Sequence, residues 1–482
     1  MAAENDTGLL VPEDILQKAL GLLLAKQADF GDVYVERASF NTVKSDDHKI
    51  NTITTIEKGV GLRAVKNGKT FYAYTDSYLP EEIFKTARFV ADAATTDGTE
   101  DIVSVDLSTN SIQPYPITPD PFNISVEDKV ALIQALSDRA WSADPRVTQI
   151  SQFYREIMRE ITLATSSGNI INHTLGLTEL IAVAYMKDKT GNLQSGHDGR
   201  AAYAGQDFYQ GENSFERIVD KSITRAANML DAVESPRGSF PVVFGPGETG
   251  VIFHESCGHG MEADLVFKGS NFKDQIGKQT AAKGVTLIDD GTIPQMPGSF
   301  AYDDEGTPAQ RTVLVEDGIQ RNYLSDLVWA QKMGVESTGS GRRQSFKHIP
   351  IPRMRNTFID SGDIAPQDII ADTKKGIYVS SAGGGQVDVI TGNFMMGVNE
   401  GYLIENGKIT NPIKGATLSG MGIDAMKTID MVGDDLSIIA GAGRCGKGQS
   451  APVGFGMPTT RVRGILVGGA GEAWDDDKGG AS

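Results

Sequence analysis

The chain has 482 residues, 40% apolar and 22% charged, enough material for two or three domains with large cores. Its formal net charge of −18 repels phosphate backbones and anionic lipid, which excludes nucleic acid and membrane surfaces as primary partners. Two cysteines exclude a disulfide framework and point to a reduced, cytoplasmic protein.

Acidic residues and Pro12 precede the first apolar stretch, unlike a secretory signal, and Ile15, Leu16, Ala19, Leu22 and Leu23 have the spacing of an amphipathic helix. A strand is expected over 32–40 and a tight hairpin about Asn67-Gly68. Helical spacing follows over 79–94 and 125–141, the latter with Ser125 as N-cap. Strand-like runs at 159–166, 169–175, 178–187 and 193–203 lead to a helix near 213–232. The order helix, strands, helix thus occurs twice, which suggests an internally duplicated unit, although the residues themselves show no repeat. The second half differs: 40 of the 55 glycines fall in 241–482, and hairpin dipeptides such as Asp317-Gly318 and Asn406-Gly407 separate short strands. The expected fold class is α+β. An N-terminal domain of mixed sheets and long helices (1–236) precedes a β-rich, barrel-like domain (237–470) that carries a metal-site helix. The acidic, glycine-rich tail 471–482 is expected to be disordered.

Of six histidines, two flank a glutamate in His254-Glu255-Ser256-Cys257-Gly258-His259-Gly260, at what reads as the start of a helix. Five residues rotate a regular α-helix about 140° beyond one turn, so the two rings would diverge. A π-type turn with i→i+5 bonding would bring them back together, and Gly258 and Gly260 lower its backbone cost. Two imidazoles suit Zn²⁺, with Glu255 placed to act as general base. A third ligand is open between Cys257, three residues after His254, and Cys445, in the glycine-dense stretch GAGRCGKGQS.

These residues are recognisable. HESCGHGMEAD resembles the HExxxH motif of the TldD metallopeptidases in the TldD/PmbA family. ADFGDVYVE, GVGLRAVKNGKTFYAYTD, DDEGTPAQ, TGSGRRQSFKHIPIPRM, GGGQVD, EGYLIENGKITNPIKGATLSG and CGKGQSAPVGFGMP are similar to TldD segments in the same order. The likeness runs from about Ala28 to Gly469. It implies His254, His259 and Cys445 as ligands of one Zn²⁺, Glu255 as catalytic base, and no metal role for position 257. It also implies a heterodimer with a PmbA/TldE-like subunit that encloses the site in a chamber for unfolded or short peptides, including modified-peptide precursors.

Other segments are candidates for substrate handling. Gly384, Gly385 and Gln386 precede a strand-like run and could offer an edge to an extended peptide. Arg342 and Arg343 could anchor a substrate carboxylate, and His348 could stabilise an oxyanion. Glu262, about one turn past His259, could orient that imidazole. The acidic run Asp303-Asp304-Glu305 reads as a solvated turn. The competing functions are a peptide-binding regulatory scaffold with a structural metal and a metal-dependent amidohydrolase of small molecules.

Overall fold

The computed structural model describes residues 8–94, 104–111 and 123–475. Its first half is built on one antiparallel spine. Strands β1 (Phe30–Asp46), β2 (Lys49–Lys66) and β3 (Lys69–Thr75) form a meander. It turns at Asn67 and Gly68, both at positive φ, the expected hairpin geometry. A short β4 (Ser108–Ser111) pairs parallel with the start of β6, and β5 (Val147–Thr165), β6 (Asn169–Lys187) and β7 (Leu193–Ala202) form a second meander. The β1–β5 pairing joins the two into a seven-stranded sheet.

Each meander lies between two helices: α1 (Glu13–Leu24) and α2 (Pro80–Ala94), then α3 (Val126–Ala143) and α4 (Phe215–Leu230). Ser125 and Ser214 cap α3 and α4 by accepting from the N–H groups of Asp128 and Arg217. The helices bury two apolar clusters against the sheet. A third cluster, which includes Tyr34, Ile161 and Leu177, meets Phe300 and Phe346 from the second half.

Three short runs expected over 159–187 belong to two strands of 19 residues each. The stretch before residue 159, outside the expected run, carries charged residues that are paired in the fold. Arg155 bonds Glu179 of β6 at 3.0 Å, and Lys129 of α3 meets the buried Glu156 at 2.6 Å.

Among the described residues the second half holds an eleven-stranded sheet, curled into a half-barrel, and a six-stranded sheet. Between them runs the helical segment from Val251 to Phe267. Its Ile252, Phe253, Cys257 and Met261 share one core with Val242, Phe244 and Ile377 of the larger sheet and Leu287, Leu314 and Ile359 around the smaller. Hairpins turn at Asp317-Gly318 and Asn406-Gly407, all four at positive φ. Among the described residues no helix is long and apolar enough to cross a membrane.

Two expectations need correction. Asp303, Asp304 and Glu305 are buried rather than solvated, and Glu305 reaches across to Arg63 of β2. The tail does not leave the fold at 471: Ala473–Asp475 pairs in parallel with Arg237–Ser239, and Trp474 packs on Phe240. The remainder of the tail, 476–482, lies outside the described residues.

Candidate metal centre

The chain enters the site at Gly247, whose φ of 87° turns it from a strand into a short 3₁₀ turn and then a helix. Over His254–Gly258 that helix is a π turn, and the His259 N–H donates to the His254 carbonyl five residues back. The two imidazoles thereby face each other, with ring centroids 5.6 Å apart. Gly258 has ordinary helical torsions (φ −56°, ψ −47°), so its role is not backbone freedom. A Cβ at Gly258 would collide with Met354 Sδ, and one at Gly260 would lie 2.7 Å from the Phe272 ring. Close packing, rather than torsional licence, is what requires glycine here.

Cys445 arrives from the far end of the sequence on a two-stranded hairpin, Arg444–Gly446 paired with Ser450–Pro452. Its Sγ lies 3.1 Å from His259 Nε2. The donor atoms of His254, His259 and Cys445 all lie within 4.8 Å of one another, and all three residues are buried. Neither ring nitrogen of His254 has a hydrogen-bond partner among the described residues. A buried imidazole left with two open positions beside a second imidazole and a thiol is a donor set that fits a divalent metal. Cys257 is not in this group. It packs in the apolar core, where burial pushes its thiol up to about 12.

The second half also supplies a frame for the hairpin. Arg353 donates to the Cys445 carbonyl at 2.6 Å and to the Gln449 carbonyl at 2.8 Å. Arg342 donates to the carbonyls of Pro452 (2.7 Å) and Met354 (2.6 Å). Lys447 donates to Glu262 (2.8 Å), Asp264 (2.8 Å) and the Pro352 carbonyl (2.6 Å). Glu262 lies 2.9 Å from His259 Nδ1, which directs Nε2 toward Cys445.

The charges follow this geometry. Burial raises the Glu262 carboxyl, but Lys447 and His259 outweigh it and bring it down to about 2. Burial pushes His259 down, and Glu262 and Cys445 together hold it well above the ordinary imidazole range. Burial likewise raises the Cys445 thiol, and the facing His259 holds it well below the usual thiol range. The Cys445 thiol is thus biased toward the thiolate, the form that binds metal. Glu255 is partly exposed, with Oε2 3.6 Å from His259 Nε2.

The remaining candidates lie elsewhere. Gly384, Gly385 and Gln386 are exposed on strand Lys375–Val387, which pairs with Asn393–Glu405 on one side. Its second neighbour covers only Ile377–Val379, so beyond Val379 no strand pairs with the other edge among the described residues. Ser381 and Ala382 on that strand line a cleft of about 210 Å³ with Val251, Gly443 and Phe455, and Phe455 stands 6.1 Å from His254. Arg342 and Arg343 are buried outside the three-residue cluster, Arg343 bonding Asp32 of β1 at 3.1 Å. His348 accompanies them, 3.0 Å from Ser345 Oγ. Burial lowers it, while Glu36 and Glu57 of the N-terminal sheet pull the other way. Sequence reasoning missed Lys447 and Arg353. The short distance from Cys445 to Lys447 was the available signal for the first, and nothing local marked the second.

Comparison with known proteins accords with this geometry. Family models match in chain order: PmbA/TldA metallopeptidase domain 1 over residues 31–94, the central domain over 119–230 and the C-terminal domain over 237–469. A metalloprotease TldD homolog of Haemophilus influenzae is 36% identical over 96% of this chain and 98% of its own length. A metalloprotease of Methanocaldococcus jannaschii is 33% identical over 91% and 97%. The crystal structure of TldE from Thermococcus kodakarensis, 19% identical, superposes with a TM-score of 0.73 over 94% of this chain and 99% of that one. The chain belongs to the PmbA/TldD family of metallopeptidases.

Proposed function

We propose that the chain is a zinc-dependent peptidase, with His254, His259 and Cys445 as metal ligands and Glu255 as general base. The observation that carries this reading is the convergence of three buried donors within 4.8 Å, with the Glu255 carboxylate 3.6 Å from one of them. Three protein ligands leave a coordination position free, as catalytic zinc sites do, whereas structural sites usually have four. Zinc held there supplies Lewis acidity toward a peptide carbonyl. Glu255 takes the proton of the attacking water and returns it to the departing amine. Glu262, itself fixed by Lys447, keeps the His259 ring in the ligating orientation.

The unpaired edge past Val379, through Gly384, Gly385 and Gln386, binds substrate backbone as an added strand. That suits unfolded or short peptides, including modified-peptide precursors, with little side-chain preference. A TldE-like partner closes the chamber in a cytoplasmic heterodimer. The shared fold of a TldE structure supports such a pairing.

The test is metal content and cleavage of an unstructured peptide, with and without a TldE-like subunit. Glu255→Ala should keep the metal and lose roughly 10²–10⁴-fold in rate. His254→Ala and Cys445→Ala should lose the metal. Wild-type cleavage by Glu255→Ala would falsify the catalytic assignment, and full metal occupancy in Cys445→Ala would move the third ligand elsewhere.

A further inference from the structure

The hairpin that carries Cys445 has a second face. Cys445 is buried on the metal side, whereas Arg444, Ser450, Ala451 and Pro452 border a separate cavity of about 340 Å³ between the hairpin and the seven-stranded sheet. Its apolar wall is Phe40, Ile157, Leu175, Leu177 and Phe300. Its polar wall holds five guanidinium groups, Arg155, Arg159, Arg342, Arg343 and Arg444, against three carboxylates, in a protein of net charge −18.

Those carboxylates are engaged. Glu36 is bonded by Arg159 at 2.6 Å and the Phe346 N–H at 2.7 Å, Asp304 by the Arg343 N–H at 2.8 Å, and Glu57 by Lys347 at 3.3 Å. The cations are not matched in the same way. Arg155 and Arg444 share the single carboxylate of Glu179, with Arg444 at the long distance of 3.5 Å. Arg342 is buried and bonds only backbone carbonyls, with no carboxylate partner among the described residues. Arg343 pairs with Asp32 through Nη2 and keeps Nε and Nη1 buried with no hydrogen-bond partner among the described residues. Burial and the neighbouring Arg355 push Arg342 down to about 10. Desolvated guanidinium groups in surplus are costly unless an anion completes them, and a carboxylate is the planar acceptor that matches their fork. The lining carboxylates disfavour a dianion such as phosphate, and the apolar wall needs an apolar group beside the charge. The volume is at the low end of small-ligand pockets, roughly 300–1,000 Å³, with room for one or two residues.

We propose that this cavity is a binding site for the free C-terminal carboxylate of a short peptide ending in an apolar residue, distinct from the metal centre and joined to it through the hairpin and Arg342. The peptide nature of the ligand rests on the peptidase reading. The binding of an N-acylated apolar amino acid through its free carboxylate does not, so the two can fail separately.

The experiment titrates the full chain calorimetrically with N-acetyl-leucine, N-acetyl-leucinamide, isovalerate and inorganic phosphate, once zinc-loaded and once with metal chelated. The acid should bind one-to-one with the same affinity in both states. The amide, isovalerate and phosphate should each bind at least 10-fold more weakly. Arg155→Gln, remote from the metal ligands, and Arg444→Gln should each weaken the acid about 10-fold or more, the loss expected of one charge-assisted bond, with metal content unchanged. Equal binding of acid and amide overturns the proposal, as does wild-type affinity in both variants. Tight isovalerate makes this a small-acid site, tight phosphate a general anion site, and loss of binding on chelation places the carboxylate at the metal; each overturns it. Should either variant fold poorly, the contrast between acid and amide in the wild-type protein decides alone.

Discussion

Glu262 is fully buried, and Lys447 is the foremost of the groups that sustain its charge, with the His259 ring, Arg353 and the Met354 N–H beside it. Replacing Lys447 by methionine keeps the stem and removes the charge, leaving two carboxylates, Glu262 and Asp264, without their shared donor. Metal affinity should fall roughly 10–100-fold, as for other partners that orient a ligating histidine. Competition against a chromophoric chelator measures it, and Lys447→Arg should recover part of the loss. A second residue-scale prediction concerns Asp303, which burial and the adjacent Glu305 push up to about 7. Its folded pKa is raised, so its contribution to stability is full below the ordinary carboxyl range, near pH 4. That contribution is lost as pH rises through about 7. The melting temperature of the wild type relative to Asp303→Asn should therefore decline from pH 5 to pH 8. A difference independent of pH would show that Asp303 does not titrate in this window. At this scale the sequence revealed the donors and not what holds them. His254 and His259 announce themselves by proximity, whereas Arg353 acts on a residue 92 positions away, beyond the reach of any local pattern.

The π turn shows what spacing conveys at the level of an element. Histidines five apart cannot share a face of an α-helix, so a common partner demands i→i+5 bonding, and that bond is present. The reason for glycine at 258 was not legible, because it depends on Met354, which reaches the turn only through tertiary packing. Gly258→Ala is accordingly an overpacking change. It should lower stability by about 1–3 kcal/mol and shift the π turn enough to weaken metal binding. Shortening the opposing side chain in Gly258→Ala/Met354→Ala should restore part of the metal affinity, measured by the same chelator competition. If torsion rather than packing were limiting, the second substitution would restore nothing. The long strands were misread for a related reason. Before residue 159 the buried Glu156 breaks the apolar pattern of β5, and its partner Lys129 lies on α3, so tertiary packing rather than local sequence explains it.

The two halves meet through buried polar groups as much as through apolar ones. Phe346 projects from the second half onto β2, where Gly59 and Gly61 leave space for its ring and backbone, and Arg343 and Glu305 pair with Asp32 and Arg63 of the first sheet. At the other end Arg225 of α4 is bonded to Asp198 of β7 (3.1 Å), Glu248 (2.7 Å) and Glu400 (3.0 Å). Glu248 lies in the 3₁₀ turn that leads into the helix of His254, so this contact ties the N-terminal helices to the approach to the metal centre. Burial works against the charge of Glu248, yet Arg225 and Lys221 bring its carboxyl down to about 2, so it stays ionised across the physiological range. Removing Arg225 leaves Asp198, Glu248 and Glu400 largely out of water, with Lys221 and Arg200 as the cations that remain beside them. Arg225→Met should therefore cost about 3–5 kcal/mol, the usual penalty for breaking a buried pair from one side. Denaturant unfolding followed by tryptophan fluorescence measures it. Because the network joins the halves, the variant should also unfold in two steps where the wild type unfolds in one. Neutralising a partner in Arg225→Met/Glu400→Gln should recover part of the loss. A single Arg225→Met variant as stable as the wild type would mean that water already solvates these carboxylates, and that the contacts of Phe346, Arg343 and Glu305 hold the halves together without Arg225.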